Sequence, residues 1–252
     1  FCTAILLLSV FLLYREKYEA SALLYGLSVA CKPQMLIFAP LYLFFAIRQR
    51  KWLRLATGVL CGAGALLLLA LPFTTGFHFR WLLTEYTSTL NYYDYYSVNA
   101  YNFWTLLGWN WKLLPGEPFK TVLTFAAPVL ATAGCGALLL LSKRKDVLFF
   151  CPVMLMSIMC IFGVKMHERY LFPVLLFLLL ACALSGDRRL LGSYGLITVA
   201  HYLNVAHVLW IAENLGQNYD PNAPGMRLLA AAQVAAVGYG LYAGCSVYLR
   251  DK

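Results

Sequence analysis

The chain has 252 residues, of which 62% are hydrophobic and only 12% are charged, and its mean hydropathy is +0.69. A water-soluble domain of this length needs more polar surface than that to cover its core, so the composition excludes an ordinary soluble protein. The formal net charge of +9 does not indicate a nucleic-acid partner. The basic residues lie in short clusters between apolar blocks, and no nucleic-acid-binding motif accompanies them.

Nine apolar segments follow one another along the chain and predict an all-α integral membrane protein. They cover residues 1–14, 20–31, 34–47, 55–71, 119–141, 147–163, 171–185, 190–211 and 226–249. Several are shorter than the ~20 residues that usually cross ~30 Å of hydrocarbon. We interpret residues 1–252 as a single transmembrane domain, a multispanning helical bundle with about nine segments. Because the chain opens inside an apolar stretch, we expect it to be a fragment that lacks N-terminal helices.

The basic clusters predict the orientation of these segments, because Lys and Arg concentrate on the cytoplasmic side of membrane proteins. If each segment crosses the membrane once, every cluster falls on that side. The clusters are Arg15/Lys17, Arg48/Arg50/Lys51/Arg54, Lys143/Arg144/Lys145, Arg188/Arg189 and Arg250/Lys252. The turn at Lys32, the loop 72–118 and the links 164–170 and 212–225 then face outward, in a multi-pass protein of the cell membrane.

The first outward feature is the turn Lys32-Pro33-Gln34 inside the apolar region 20–47. Proline removes a backbone donor and disfavours helical geometry at the preceding residue. The sequence therefore predicts a tight helical pair with its turn near the outer face. An ionisable residue within a membrane segment is a functional candidate, and a lysine is a suitable point charge for a phosphate. The alternative is that the Lys32 ammonium merely extends to the membrane surface.

The long outer loop contains two distinct patterns. Apolar residues spaced along one helical face predict an amphipathic helix in the membrane interface; they are Phe79, Leu82, Leu83, Tyr86 and Leu90. The stretch that follows, residues 91–104, is rich in aromatic residues, which is typical of the interfacial belt. The Asn and Asp residues between the aromatic ones are more numerous than an interfacial belt requires.

The link 164–170 has the least expected composition. It places Lys165, His167, Glu168 and Arg169 on the outer side, where basic clusters are unusual. A forked guanidinium beside an imidazole suits a phosphate or pyrophosphate, so the link is a candidate anion site. The alternative is a polar loop in which Glu168 pairs with a neighbouring cation.

The remaining polar and small residues predict helix packing. His201, Asn204 and His207 form a polar stripe on one apolar segment, which interhelical hydrogen bonding explains; a direct role with substrate is the less favoured alternative. The glycines of Gly62-Ala-Gly64 are weak signals of close packing. The eight cysteines are scattered through apolar segments, so we predict neither a disulfide framework nor a zinc site.

Three of these motifs together resemble a known family. Lys32-Pro33-Gln34, the stretch Ser97–Gly108 (SVNAYNFWTLLG) and the stretch Met166–Pro173 (MHERYLFP) resemble bacterial GT-C glycosyltransferases, most closely the mannosyltransferases related to GPI mannosyltransferase 2. The resemblance covers about residues 20–185, and the two later motifs are the more specific ones.

The resemblance implies a transferase that takes a hexose such as mannose from a polyprenyl-phosphate carrier on the extracytoplasmic side. The acceptor is a glycan, a lipid or a protein. The residues that would bind substrate are Lys32, Gln34, Asn99, Asn102, Trp104, His167, Glu168, Arg169 and Tyr170. Within this set the resemblance assigns the lipid phosphate to His167 and Arg169. No metal ligand is predicted, and a requirement for a divalent cation is left open.

The chain departs from the pattern of the GT-C family in its catalytic base. In GT-C enzymes this carboxylate usually lies in the first outer loop, a region expected to precede Phe1, so Asp94 is only a weak candidate for the role. The rival function is a transporter or flippase of lipid-linked sugars, which would also place cations near a lipid phosphate. Transporters usually contain internal repeats with matching broken helices, and the break at Lys32 has no counterpart later in the chain. A purely structural membrane subunit does not explain the charged outer links.

Overall fold

The computed structural model describes residues 1–76, 78–216 and 218–250, with the backbone alone at 89–91. The protein is 77% helical, which agrees with the prediction of an all-α membrane protein. Two compact units divide the chain, Phe1–Tyr92 and Tyr93–Lys252, called unit 1 and unit 2 below. The expectation of a single transmembrane domain stays a prediction.

The described residues of unit 1 form five α-helices. They are α1 (Cys2–Tyr14), α2 (Tyr18–Cys31), α3 (Ala39–Gln49), α4 (Trp52–Ala70) and α5 (Arg80–Asn91). Short 3₁₀ turns at Pro33–Phe38 and Leu71–Phe73 precede α3 and follow α4. Each of these turns begins at or beside a proline, as expected for a residue that cannot continue the preceding helix.

The break at Lys32 reverses the chain, as the sequence predicts. Lys32 is extended (φ −153°, ψ 109°) and Pro33 opens the 3₁₀ turn. Beyond the turn, α3 runs back along α2, with the rings of Tyr25 and Tyr42 stacked at 4.4 Å. The ammonium of Lys51 then lies 3.1 Å from the Glu16 carboxylate. The two basic clusters that flank this hairpin are therefore at the same end of unit 1.

Small residues allow α2 and α4 to pack with their backbones in contact. A Cβ added to Gly26 would lie 2.3 Å from the carbonyl oxygen of Gly62, and a Cβ on Gly62 would lie 2.9 Å from that of Ala22. Close approach through small residues is a common way for helices to associate in membranes. The packing signal at Gly62 is thus confirmed, whereas an added Cβ on Gly64 would have no neighbour within 4 Å.

The predicted amphipathic helix of the long loop is present as α5. Leu82 and Tyr86 line an apolar cleft of about 350 Å³ together with residues of α2 and α4, whereas Leu83 is exposed. The side chain of Leu90, which completes the predicted pattern, lies outside the described part. The position of α5 in the membrane interface stays a prediction.

Unit 2 contains the remaining helices and a minimal sheet. The helices are α6 (Phe103–Leu106), α7 (Phe119–Leu141), α8 (Val147–Phe162), α9 (Phe172–Ser185), α10 (Arg188–Asn214) and α11 (Pro224–Leu249). Strand β1 (Ser97–Val98) pairs with β2 (Met166–His167), and a 3₁₀ turn covers Glu168–Leu171. Helix α8 is the core of unit 2, because every residue from Val147 to Ile161 is buried.

The basic clusters of unit 2 also meet at one end. The guanidinium of Arg144 lies 5.3 Å from the centre of the Tyr248 ring, and that of Arg189 donates to the hydroxyl of Ser246 at 3.0 Å. The carboxy-terminal end of α11 therefore lies beside both clusters. Lys252, which belongs to the last predicted cluster, is outside the described residues.

Each of the nine predicted apolar segments overlaps a helix in the described ranges. Five stretches there are long and apolar enough to cross a membrane: Trp52–Phe73, Phe119–Leu141, Glu168–Ser185, Arg188–Asn214 and Pro224–Leu249. The apolar helices Cys2–Tyr14 and Val147–Phe162 are shorter than a usual span. The protein is thus a multi-pass membrane protein, and the figure of nine crossings stays a prediction.

Candidate functional site

Two distant stretches of unit 2 meet in the short sheet. β1 runs parallel to β2, with Ser97 opposite Met166 and Val98 opposite His167. The backbone N–H of Lys165 also donates to the carbonyl of Tyr95 at 3.0 Å, and Asn99 forms a further bridge to His167. The Asn-rich stretch and the cationic link, which the sequence marks separately, are therefore neighbours. We call this assembly the loop–link cluster (residues 93–113 and 164–170).

Asn99 is held by several hydrogen bonds within the loop–link cluster. It has a left-handed backbone (φ 59°), a conformation that Asn tolerates better than most residues. Its side-chain oxygen accepts from Asn110 Nδ2 and from Trp111 Nε1, both at 2.9 Å. Its backbone N–H donates to Asn110 Oδ1 at 2.8 Å. The predicted substrate residue Asn99 is thus part of a rigid network.

The network continues into the helices through two more asparagines. Asn204 of α10 donates to the carbonyl of Asn99 at 2.9 Å and accepts from the N–H of Tyr101 at 3.1 Å. Asn222, in the link before α11, accepts from the N–H of Asn110 at 3.0 Å. A buried polar network of this kind fixes a loop when each member has partners. The polar stripe on α10 therefore bonds to a loop rather than to another helix.

A second member of the stripe also contacts the loop. The hydroxyl of Tyr101 lies 2.6 Å from Nδ1 of His207, and the Tyr101 side chain is fully buried. Burial raises the pKa of the Tyr101 phenol, so the phenol is neutral and can donate to the imidazole. In contrast, His201 is buried and no partner is found for its Nδ1 atom.

Asn102 and Trp104 attach the loop to the end of α8. The buried Asn102 caps the short helix α6, because its side-chain oxygen accepts from the N–H groups of Trp104 and Thr105. Its Nδ2 donates to the carbonyl of Cys160 at 3.2 Å. Trp104 Nε1 donates to the carbonyl of Phe162 at 2.9 Å. The polar groups of both side chains are therefore hydrogen-bonded within the protein.

His167 lies inside the cluster and not on its surface. Its side chain is only 8% exposed. The rings of Tyr93 and Tyr170 pack against it edge-on, with centres 4.7 and 5.1 Å away. These contacts hold the imidazole in one orientation.

Arg169 is the accessible cation of the link. Its side chain is 65% exposed, and Nη1 lies 3.2 Å from Oε1 of Glu168. The carboxylate of Glu168 is itself mostly buried, and its other oxygen is 4.0 Å from Nδ1 of His167. Glu168 thus lies between the two predicted phosphate ligands. The exposed guanidinium retains donors for a ligand, since a guanidinium carries five N–H groups.

Lys120 of α7 joins two charged residues of the cluster, Asp94 and Lys165. Asp94 lies 2.5 Å from Nζ of Lys120 and 3.1 Å from Nζ of Lys165. The Lys120 ammonium, helped by that of Lys165, holds the pKa of the Asp94 carboxyl below its ordinary value. A general base needs a pKa near the operating pH, so this environment favours an ion-pair role for Asp94.

The predicted residues Lys32 and Gln34 belong to unit 1. Both are half-buried in the turn between α2 and the following 3₁₀ helix. Their neighbours Cys31 and Pro33 line the apolar cleft beside α5. The side-chain oxygen of Gln34 is buried, and no partner is found for it.

The structure thus brings seven of the nine predicted substrate residues into the loop–link cluster; they are Asn99, Asn102, Trp104, His167, Glu168, Arg169 and Tyr170. It adds residues that were not among those nine, namely Asn110, Lys120, Lys165, Asn204 and Asn222. The sequence had already placed Lys165 in the candidate anion link and given Asn204 a less favoured role with substrate. An asparagine in an apolar helix is a usable signal for Asn204, whereas nothing in the sequence distinguishes Lys120. Within the described ranges, no group of three or more His, Cys, Asp and Glu side chains could hold a metal ion.

Comparison with known proteins assigns the family. The model of the family described as "ALG3 protein" matches residues 1–146, more than half of the chain. The chain belongs to the ALG3 protein family. This is a family of mannosyltransferases that depend on dolichyl-phosphate mannose. No curated protein and no solved structure matches the chain.

Membership in the ALG3 family confirms the coarser part of the sequence interpretation. Members are glycosyltransferases that use a lipid-linked sugar donor and an acceptor glycan. The match includes the turn at Lys32 and the Asn-rich stretch, and ends before the link 164–170. The likeness to bacterial GT-C enzymes and to GPI mannosyltransferase 2 stays a prediction.

Proposed function

We propose that the protein is a GT-C type glycosyltransferase that moves mannose, or a closely similar hexose, from a polyprenyl-phosphate carrier to an acceptor glycan on the extracytoplasmic side. The pairing of β1 with β2 is the observation that carries the proposal. It joins a cation-bearing link to an Asn-rich loop, and a transferase needs both a phosphate site and a sugar site.

The cations of the link suit the departing phosphate. Transfer from a phosphate-linked sugar leaves negative charge on the carrier, and fixed positive charge stabilises that charge in the transition state. Arg169 offers an exposed fork at the surface of the cluster, and His167 is held behind it by two tyrosine rings. Lys120 and Lys165, anchored on Asp94, add positive charge nearby.

The loop supplies the rigid polar surface that sugar recognition requires. A pocket selects a hydroxyl pattern only if its hydrogen-bonding groups are held in place. The bonds from Asn110 and Asn204 fix Asn99 and the backbone around it, and Trp104 stacks on Trp109 with ring centres 5.7 Å apart. We assign Asn99 and Trp104 to the wall of the sugar or acceptor pocket.

The decisive experiment separates the transferase from a flippase. Full-length protein is reconstituted in liposomes with a polyprenyl-phosphate mannose donor and a lipid-linked glycan acceptor. Transferase activity predicts a product one hexose larger. Movement of the lipid-linked sugar across the bilayer without any enlarged product would overturn the proposal in favour of the flippase.

The proposed side of the membrane needs its own measurement. On a cysteine-free background, single cysteines placed at 165–169 should react with an impermeant reagent from outside, and those placed at 143–146 only after permeabilisation. Labelling of 165–169 from the cytoplasmic side would contradict the extracytoplasmic site.

A further inference from the structure

Two cysteines that are far apart in the chain lie together in unit 1. Cys2 begins α1 and Cys31 ends α2. The two helices run antiparallel and are locked in register at their middles. The hydroxyl of Ser9 donates to the carbonyl of Ser21 at 2.5 Å, and that of Ser21 donates to the carbonyl of Ser9 at 2.7 Å. This register places the start of α1 beside the end of α2.

A contact at that end places the two cysteines near each other. The hydroxyl of Ser28 donates to the carbonyl of Cys2 at 3.3 Å. Cys31 is one turn beyond Ser28, on the same face of α2, so its side chain lies toward Cys2 at the start of α1. Both cysteines are free thiols, Cys31 is exposed, and Cys2 is partly exposed. The pair is therefore a candidate for a disulfide, which requires proximity of the two cysteines and access to an exchange partner.

The position of the pair in unit 1 indicates its redox environment. The ion pairs Lys51–Glu16 and Arg54–Glu19 mark the opposite end of the α1–α2 pair, where the basic clusters lie. If those clusters are cytoplasmic, Cys2 and Cys31 are on the extracytoplasmic side. Extracytoplasmic compartments support stable disulfides, whereas the cytosol keeps thiols reduced.

We propose that Cys2 and Cys31 form a disulfide that closes the α1–α2 hairpin at its extracytoplasmic end. The inference rests on the sidedness given under the proposed function. The reaction is thiol–disulfide exchange with an oxidised dithiol oxidoreductase. One S–S bond forms between the two cysteines, the disulfide of the oxidoreductase is reduced to two thiols, and two protons and two electrons pass to it.

The bond would constrain the turn that carries Lys32. Cys31 directly precedes Lys32, and it lines the apolar cleft together with Leu82 and Tyr86 of α5. A cross-link that encloses residues 3–30 removes conformational freedom from the unfolded chain and so stabilises the hairpin. The oxidised protein should therefore hold the Lys32 end of α2 more rigidly than the reduced protein.

The test traps the thiols before the cells are opened. Cells that express the full-length protein are treated with N-ethylmaleimide, and the purified protein is digested and analysed by mass spectrometry without reduction. The expected result is a linked peptide pair containing Cys2 and Cys31, which a reductant separates. The pair should disappear in Cys2→Ser and in Cys31→Ser and persist in Cys61→Ser, a half-buried cysteine of α4. Reduction should lower the Tm of the wild type by about 5 °C and leave that of Cys2→Ser unchanged.

Two results would overturn the proposal, and they are distinguishable from failure of the proposed function. Alkylation of both thiols before reduction, in protein whose residues 165–169 label from outside, means that no disulfide forms despite the correct side. Alkylation of both thiols together with labelling of 165–169 from the cytoplasm contradicts both the proposed extracytoplasmic side and the disulfide. Mannose transfer is measured in a separate assay, so its outcome does not depend on the alkylation or the labelling result.

Discussion

The turn at Lys32 in unit 1 and the link at 164–170 in unit 2 carry the same signal in the sequence, a charged break between two apolar segments, yet they are built differently. The Lys32 turn is a proline-initiated 3₁₀ segment whose neighbours line an apolar cleft. The link is paired as a strand with the Asn-rich loop, and its residues contact tyrosines and a carboxylate.

The difference shows that the chemical role of a charged break depends on the residues that it contacts. In unit 2, backbone pairing fixes Lys165 and His167 beside the polar loop 93–113, and Arg169 follows in the adjoining 3₁₀ turn. In unit 1, the residues on either side of Lys32 line an apolar cleft. We therefore expect substitutions in the link to lower the rate of transfer, and substitutions in the Lys32 turn to weaken use of the lipid donor.

Removal of Arg169 should have the largest effect. Arg169→Ala deprives the leaving phosphate of a forked, permanently charged partner, at a cost of about 2–4 kcal/mol in the transition state, or roughly 30- to 1000-fold in rate. Arg169→Lys should recover only part of the loss, because it retains the charge without the bidentate geometry. The measurement is kcat for mannose transfer, with Arg188→Ala as the control, since Arg188 is exposed at the predicted cytoplasmic end. Near-normal turnover in Arg169→Ala would mean that the link is a polar turn without a role in transfer.

The largest effect on stability is expected in unit 1. Gly26→Ala places a Cβ 2.3 Å from the carbonyl oxygen of Gly62. Such overpacking usually lowers the free energy of unfolding by about 1–3 kcal/mol. Thermal unfolding of the detergent-purified protein should show a clear loss of stability. Gly64→Ala is the matched control in α4, because its added Cβ would meet nothing within 4 Å. Equal melting temperatures for the two variants would refute the close contact of α2 with α4.

His167 allows a test that separates chemistry from packing. His167→Phe keeps a ring between Tyr93 and Tyr170 but removes the ring N–H groups, so transfer should slow roughly tenfold, about 1.4 kcal/mol, while the melting temperature holds. His78→Phe, at an exposed position, serves as the control. If His167→Phe transfers mannose normally and only His167→Ala is impaired, the imidazole acts by packing alone.

The smallest expected effect is at Lys32. If the half-buried Lys32 ammonium binds the lipid donor, Lys32→Met should raise KM for the donor about fivefold, or ~1 kcal/mol. Folding and kcat should be nearly unchanged, and Lys32→Arg should restore part of the affinity. Lys143→Met, in a predicted cytoplasmic cluster, provides the comparison. Full donor affinity in Lys32→Met would favour the alternative in which Lys32 only reaches toward the membrane surface.

Much of the fold follows from the sequence alone. A run of apolar residues between basic clusters has few ways to satisfy its backbone other than a helix, and each predicted segment overlaps a helix as a result. Pro33 likewise determines the break between α2 and α3, because proline lacks the N–H donor and excludes helical geometry before it. The stretches 97–108 and 166–173, which carry the resemblance to a known family, were selected from the sequence, and the structure brings them together.

Only the tertiary structure decided which of those residues meet. The pairing of Ser97 with Met166 joins positions almost 70 residues apart, and no local periodicity encodes such a contact. The same holds for Asn204, which reaches the backbone of Asn99 and Tyr101 from α10, and for Cys2 with Cys31. Helices form from interactions within a few residues, whereas a site depends on how buried polar groups find partners when the helices pack.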